Sequence, residues 1–231
     1  MKKRILALLL ALSLLLAGCG AAKQPPAGTI KPAENQAAKG DTPVVLGSFV
    51  GGTYENAYAG FGCTLGSGWV YKSAEELQDI SALTEDLLEG SEIDLSKSNL
   101  AQLTDMMAEN MDLLASVNVL YQQITPQEKI AFSLADESTC IDTILKDKDA
   151  LISSYAQAGI DVSSIEKVSV SFLGKIRYAI RTTSTIQGTG YYILQLFDYK
   201  LGGDYAVILT LSTLVEDTTA DLLDLFYPVS R

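Results

Sequence analysis

The sequence predicts an α+β domain in which an antiparallel sheet is covered by helices on both faces. Three observations lead to this fold class. Segments of alternating apolar and polar residues follow one another closely in the last third of the chain, a long helical region precedes them, and a short helix follows them. Because strands joined by only a few residues pair as hairpins, the sheet is expected to be antiparallel.

Four strands are predicted in that last third. Residues 168–172 and 176–181 alternate between apolar and polar side chains, whereas residues 190–199 and 204–214 are apolar on both faces. The breaks between them fall at Gly174, Gln187-Gly188 and Gly202-Gly203-Asp204. Strands that are apolar on both faces indicate a sheet with both faces covered.

Helices are predicted on either side of this four-strand meander. Thr125-Pro126-Gln127-Glu128 has the pattern of a capping box with proline at the first helical position. We therefore expect helical structure from there to about residue 158, with a break near Asp136. A last helix is expected over residues 218–227.

The first part of the domain is expected to contain strands and then a helix. One strand over residues 45–50 ends at Gly51-Gly52, and another precedes the turn Gly66-Ser67-Gly68. Ser73-Ala74-Glu75-Glu76 is a second capping-box pattern, which predicts helical residues over 73–89.

The middle of the chain is ambiguous at one place. Residues 97–115 fit either a helix or a strand, because Leu100 and Leu103 have helical spacing while the later residues could pair in a sheet. Residues 116–124 alternate clearly and predict a strand.

The N-terminal residues predict export and lipid attachment. Lys2-Lys3-Arg4 precedes an apolar run, and Leu16-Ala17-Gly18-Cys19 then resembles the lipobox of bacterial lipoproteins. The resemblance implies cleavage before Cys19 and transfer of diacylglycerol to its sulfur. The alternative is an uncleaved membrane helix, but the apolar run is shorter than the roughly 20 residues that a spanning helix needs.

These features divide the chain into three parts. Residues 1–18 are expected to be a lipoprotein signal peptide, residues 19–44 a lipidated cysteine with a disordered tether rich in Ala, Gly and Pro, and residues 45–231 a single domain. We therefore expect the protein on the extracytoplasmic side of a bacterial cell membrane, held there by its N-terminal lipid.

Composition excludes several classes of function. The net charge is −11, and it becomes about −14 once the three basic residues of the signal peptide are removed. So acidic a chain does not suit nucleic acid, and it is repelled by anionic lipid. The chain has no histidine, which excludes Ser-His-Asp and Cys-His catalysis and histidine metal sites. We expect neither a cofactor nor a metal ion.

Cys63 and Cys140 remain once Cys19 is assigned to the lipid. Export permits a disulfide between them. Both also lie in apolar patterns, which fits two buried free thiols equally well, and the sequence leaves these alternatives open.

A family resemblance rests on residues 60–69, which read Gly-Phe-Gly-Cys-Thr-Leu-Gly-Ser-Gly-Trp. This segment resembles the "GFSxxLPxGW" start of PsbP-like domains and departs from it at Gly62 and Gly66, where serine and proline are common. PsbP-like domains occur in extrinsic proteins of photosystem II and in bacterial envelope lipoproteins. The resemblance implies an α/β/α sandwich and a non-enzymatic accessory or binding module, with no catalytic residue to carry over.

Four side chains are candidates for ligand or partner contacts. Trp69 and Tyr191 are either aromatic contacts or core residues. Arg177 and Arg181 fall on one strand face, where they either grip an anion or pair with the acidic surface.

Three functions remain open. The sequence favours a lipid-anchored accessory or binding domain without catalytic activity, whose partner is an envelope protein. The alternative is a small-ligand binding lipoprotein, and the third is a hydrolase that uses a pair of carboxylates.

Overall fold

The computed structural model describes residues 46–73, 75–77, 102–157, 159–199 and 203–230. The predicted signal peptide, Cys19 and the tether lie outside the described residues, as does most of the helix expected over residues 73–89. No helix in the described ranges is long and apolar enough to cross a membrane. The described chain is α+β and is built mainly from antiparallel strands.

A small four-stranded sheet contains both ends of the described chain. It is formed by β1 (Ser48–Val50), β2 (Thr53–Asn56), β3 (Phe61–Thr64) and β11 (Phe226–Pro228), in the order β1-β2-β3-β11. Gly51 and Gly52 form the β1–β2 turn with φ of 59° and 84°. This left-handed backbone is open to glycine without steric cost, so the predicted break at these residues is confirmed.

A larger sheet of seven strands forms the centre of the domain. Its strands are β4 (Trp69–Tyr71), β5 (Gln102–Asn110), β6 (Ala115–Gln123), β7 (Ile160–Phe172), β8 (Lys175–Ile186), β9 (Thr189–Asp198) and β10 (Tyr205–Leu214). They pair antiparallel in the order β4-β5-β6-β10-β9-β8-β7. The predicted meander is confirmed as β7 to β10. Of the ambiguous segment 97–115, residues 102–110 form the strand β5 and residues 111–114 the turn that follows it.

Three helices connect β6 to β7: α1 (Pro126–Leu134), α2 (Glu137–Leu145) and α3 (Lys148–Gln157). The predicted capping box opens α1, because the Glu128 N–H donates to Thr125 Oγ1 at 3.2 Å and the Thr125 N–H donates to Glu128 Oε2 at 2.8 Å. The predicted break lies at Asp136, which caps α2 by accepting from the Thr139 N–H at 2.7 Å.

The earlier capping box is also formed. The Ser73 N–H donates to Glu76 Oε2 at 2.7 Å, and the Glu76 N–H donates to Ser73 Oγ at 3.2 Å. Residues 75–77 are helical. The start of the expected helix is therefore confirmed within the residues that the structure describes.

The two faces of the large sheet are covered differently. On one face, side chains of the central strands such as Leu120 and Ile208 pack against Ile141 and Ile144 of α2 and Leu151 of α3. On the other face, alternate residues of the same strands pack against the small sheet. The described residues thus have helices on one face and a second sheet on the other, which differs from the expected helical cover on both faces.

The expected last helix is wrong over most of its length. Only Asp221–Leu225 is helical, as a single 3₁₀ segment, and the chain then extends into β11, which pairs with β3. The 3₁₀ segment buries Leu222 and Leu223 and leaves Leu225 half-buried, whereas the helical spacing predicted burial of Leu222, Leu225 and Phe226. Phe226 is buried as well, but it reaches the core from a strand, because pairing with β3 satisfies its backbone.

The two cysteines outside the signal region are free and buried. Cys63 belongs to the core between the two sheets, whereas Cys140 of α2 packs on the helical side of the large sheet. A disulfide needs Cα atoms within roughly 7 Å, and the large sheet lies between these residues. Of the two alternatives, the structure therefore contains the pair of free thiols.

Replacing Thr125 by alanine removes the side-chain acceptor of the α1 capping box. We expect Thr125→Ala to lower the free energy of unfolding by about 1 kcal/mol, as measured by urea denaturation. Thr143→Ala is the control, because Thr143 is exposed within α2 and caps no helix. An equal loss in both variants would contradict a capping role for Thr125.

Candidate functional site

A cleft opens between the two sheets at the ends of β7, β8 and β9. Its volume is about 390 Å³, within the range usual for pockets that bind small molecules. The described lining residues are Ala59, Gly60, Phe61, Phe172, Leu173, Lys175, Arg177, Leu196, Phe197, Asp198, Val207, Leu209, Pro228 and Val229. We call it the strand-end cleft.

One wall of the strand-end cleft is built from packed aromatic rings. Phe61 and Phe172 line it with ring centroids 5.9 Å apart, and both rings pack edge-to-face on Phe226 at 5.6 and 5.8 Å. Leu196 and Leu209 are also buried beside them. Edge-to-face packing fixes the rings, so the cleft offers a preformed surface for an apolar group.

Two cations, Lys175 and Arg177, are among the residues that line this cleft. Lys175 is exposed, and it forms no ion pair with any described residue. Arg177 is held in place, because its Nε donates to Glu137 Oε1 at 2.5 Å and its Nη2 donates to the Phe197 carbonyl at 3.2 Å. Arg177 is thereby oriented without using all of its five donors.

The turn that carries Lys175 is strained. Leu173 and Gly174 join β7 to β8 with φ of 52° and 73°. A positive φ is unfavourable for leucine, and such strain persists where the surrounding structure fixes it. Leu173 is also a lining residue, so the strained turn forms part of the cleft mouth.

The other predicted contact residues lie elsewhere. Arg181 shares the strand face of Arg177 but forms an ion pair with Asp217, in which Arg181 Nε lies 3.4 Å from Asp217 Oδ2. Tyr191 is fully buried on the helical side, where a hydrogen bond with Ser212 opposes the burial that raises its pKa. Trp69 is half-buried and packs on the core between the sheets. Only Arg177 of the four lines the strand-end cleft.

A second group, a buried carboxylate, lies at the contact between the sheets. Asp105 is buried in β5, where a register shift between Thr104 and Met106 marks a β-bulge. Both of its carboxylate oxygens accept from the Gly47 N–H at 3.0 Å. Bulges redirect side chains, and this one brings Asp105 to bond residues of the small sheet.

Three side chains complete this polar cluster. Tyr54 OH donates to Asp105 Oδ2 at 2.6 Å, and Asn56 Nδ2 donates to the same oxygen at 2.7 Å. Asn56 Nδ2 also lies 2.6 Å from Tyr121 OH. Burial raises the pKa of Asp105, while the hydrogen bonds from Tyr54, Gly47 and Asn56 act to lower it. We call these residues the Asp105 cluster.

Sequence reasoning placed Lys175 in one hairpin with Arg177 and Arg181, but it missed the cleft beside them and the Asp105 cluster. Because Lys175 follows Gly174, the sequence predicts its position in a hairpin. The cleft beside it could not be predicted, since it depends on Phe61 and Val229 from distant parts of the chain. For Asp105 the only local signal is an acidic residue directly before Met106-Met107, within an otherwise strand-like segment.

The described residues give no other catalytic or metal arrangement. Asp198 is the single carboxylate among the described lining residues of the cleft, so the carboxylate pair of a glycosidase is not formed by them. Within the same described ranges, no three Cys, Asp or Glu residues converge as metal ligands.

Comparison with known proteins gives similarities to solved structures but no family. No protein-family model matches the chain, and no curated protein matches it. Among solved structures it is similar to the solution structure of cyanobacterial PsbP (CyanoP) from Synechocystis sp. PCC 6803, at 13% identity and a TM-score of 0.41. The match covers 82% of this chain and 96% of that chain, and nothing about function follows from it.

The raised pKa of Asp105 has a measurable consequence. The folded chain binds this proton more tightly than the unfolded chain, so the contribution of Asp105 to stability grows as pH falls toward its ordinary value, near roughly 3.9. We expect the unfolding free energy of the protein to rise relative to Asp105→Asn between pH 7 and pH 4.

Denaturant titrations at each pH give this difference. Asp161→Asn is the control, since Asp161 is an exposed carboxylate of β7. The argument that burial raises the pKa of Asp105 would be contradicted if the difference in unfolding free energy between the unchanged protein and Asp105→Asn stayed constant, or became smaller, toward pH 4.

Proposed function

We propose that this protein is a lipid-anchored, extracytoplasmic binding domain of the PsbP-like type, without catalytic activity, and that the strand-end cleft receives a small molecule with an apolar body and an anionic group. The lipobox at Leu16 to Cys19 supports the anchoring. The observation that carries the binding proposal is the cleft itself, in which an aromatic wall meets polar lining that includes Lys175, Arg177 and Asp198.

Charge supports an anionic ligand. The chain carries a net charge of −11, whereas the lining of the cleft holds two cations, Lys175 and Arg177, and one carboxylate, Asp198. An acidic surface slows the approach of anions in general. A ligand whose anionic group reaches Lys175 while its apolar body fills the cleft satisfies both parts of the site.

The arrangement of Arg177 supports recognition of a small ligand over a structural role alone. Its guanidinium is anchored on Glu137 and on the Phe197 carbonyl, so its remaining donors are oriented before a ligand arrives. Preorganised donors lose less conformational entropy on binding than free side chains do. Lys175, which lacks an ion pair with the described residues, supplies the adaptable second contact.

Decanoate is a suitable probe, because it combines an apolar chain with a carboxylate. We expect decanoate to raise the melting temperature of residues 20–231 saturably, with a stabilisation of about 2.7 kcal/mol at a concentration one hundred times the Kd. Lys175→Glu is expected to weaken the Kd about tenfold, because a charge-assisted contact is replaced by repulsion.

Two controls make the result specific to the cleft. Lys146→Glu changes the net charge equally at an exposed position after α2 and leaves the Kd unchanged. Decanol has the same chain length without the charge, and its binding is expected to be indifferent to Lys175→Glu. If calorimetry gave decanoate the same Kd in both lysine variants, the cleft would not be the anion site.

A further inference from the structure

Four apolar side chains are exposed together at the other end of the large sheet. Met111, Leu113 and Leu114 form the turn between β5 and β6, and Val215 directly follows β10. Their exposed fractions are 60%, 58%, 37% and 57%. We call these four residues the turn patch.

The turn patch is held in place by hydrogen bonds. The Leu214 N–H donates to the Leu114 carbonyl at 2.9 Å, and the Val215 N–H donates to the Gly190 carbonyl at 2.8 Å. The buried Asn110 side chain accepts from the backbone N–H groups of Asp112 and Leu113, both at 3.0 Å. The two segments are therefore adjacent, and they display their apolar side chains from a fixed backbone.

The backbone of the turn patch is also strained. Leu114 has φ of 48° and Val215 has φ of 72°. Leucine rarely adopts this left-handed conformation, and for the β-branched valine it is an outlier. Strained residues that are also exposed and apolar are typical of functional surfaces, since packing in the core does not explain them.

Charge limits what can cover the turn patch. Asp112 and Glu216 are exposed beside it, and neither forms an ion pair with a described residue. Two nearby cations already form ion pairs: Lys72 pairs with Glu109 at 2.7 Å, and Arg181 pairs with Asp217 at 3.4 Å. The patch is thus apolar with an acidic rim. Anionic lipid, or the acidic surface of a second copy of this chain, would be repelled by that rim, because it carries the same sign of charge.

We propose that the turn patch is a docking surface for another protein, through a segment of apolar side chains flanked by lysine or arginine. Apolar contact supplies affinity at the centre of such an interface, and complementary charge at its rim selects the partner. Trp69 borders this surface, because it pairs with Asn110 between β4 and β5. The predicted partner contact of Trp69 is then made beside the patch.

The docking surface is separate from the strand-end cleft. Val207 of β10 lines the cleft, and the patch begins after Leu214 at the other end of that strand. Leu209 is the lining residue of β10 nearest to the patch, and at about 3.4 Å per residue Val215 lies roughly 20 Å from it. Binding at the patch therefore does not depend on the proposed ligand site, and the two can be tested independently.

Photo-crosslinking in the host cell tests the docking proposal on the full, membrane-attached chain. Benzoylphenylalanine replaces Leu113, and the crosslinked peptide is identified by mass spectrometry. The expected product is a different protein, linked through an apolar segment next to lysine or arginine. A benzoylphenylalanine at Leu134, which is 84% exposed on α1, is the control for nonspecific capture.

The proposal is overturned if the product is lipid, a second copy of the chain or an acidic segment, or if Leu134 gives the same product in equal yield. It is overturned too if no product forms. The double variant Asp112→Lys, Glu216→Lys is expected to reduce the yield about tenfold, whereas Asp149→Lys, Asp161→Lys changes the net charge equally and leaves it unchanged.

Decanoate affinity separates this test from that of the cleft. It is expected to remain the same in the Asp112→Lys, Glu216→Lys variant, which also shows that the variant is folded. Conversely, Lys175→Glu is expected to leave the crosslink yield unchanged. Loss of both signals in one variant would indicate misfolding. Met111→Ser, an exposed change within the patch that leaves position 113 for the crosslinker, then serves as the replacement variant with the same expected tenfold reduction.

Discussion

The packing of the two sheets depends on the hydrogen bonds that the buried Asp105 carboxylate accepts. A buried carboxylate without donors is costly, and here the donors come from Gly47, Tyr54 and Asn56 on the small-sheet side of the contact. The large sheet supplies the acceptor through a β-bulge, and these hydrogen bonds hold the small sheet against it. Gly47 directly precedes β1, and the same cluster therefore ties the first described strand to β5.

The position of the small sheet on the large one also creates the strand-end cleft. With the small sheet fixed over the centre of the large one, the ends of β7, β8 and β9 extend past it, and Phe61 and Pro228 form the opposite wall. The turn patch at the far end of β10 is left uncovered by the same geometry. The two binding surfaces that we propose are therefore the two ends of a single sandwich, each outside the region where the sheets contact one another.

Features set by neighbouring residues were predictable, and features set by distant ones were not. The capping boxes of Thr125 and Ser73, the break at Asp136 and the Gly51-Gly52 turn depend on residues within a few positions, and all are present. The β11 strand depends on pairing with β3, whereas the local spacing of its apolar residues predicted a helix. Arg177 and Arg181 shared a face as predicted, but their roles diverged because Glu137 and Asp217 approach from different segments.

The pairing of β11 with β3 has a consequence for the order of folding. The small sheet begins at Ser48 and receives its last strand from Phe226–Pro228, close to the end of the sequence. A chain made or threaded from its N-terminus can assemble the meander while this sheet still lacks an edge strand. The core that holds Phe61, Phe172 and Phe226 closes only after Phe226–Pro228 has been made. A chain that stops before these residues keeps an open sheet edge, which exposes it to proteolysis or aggregation.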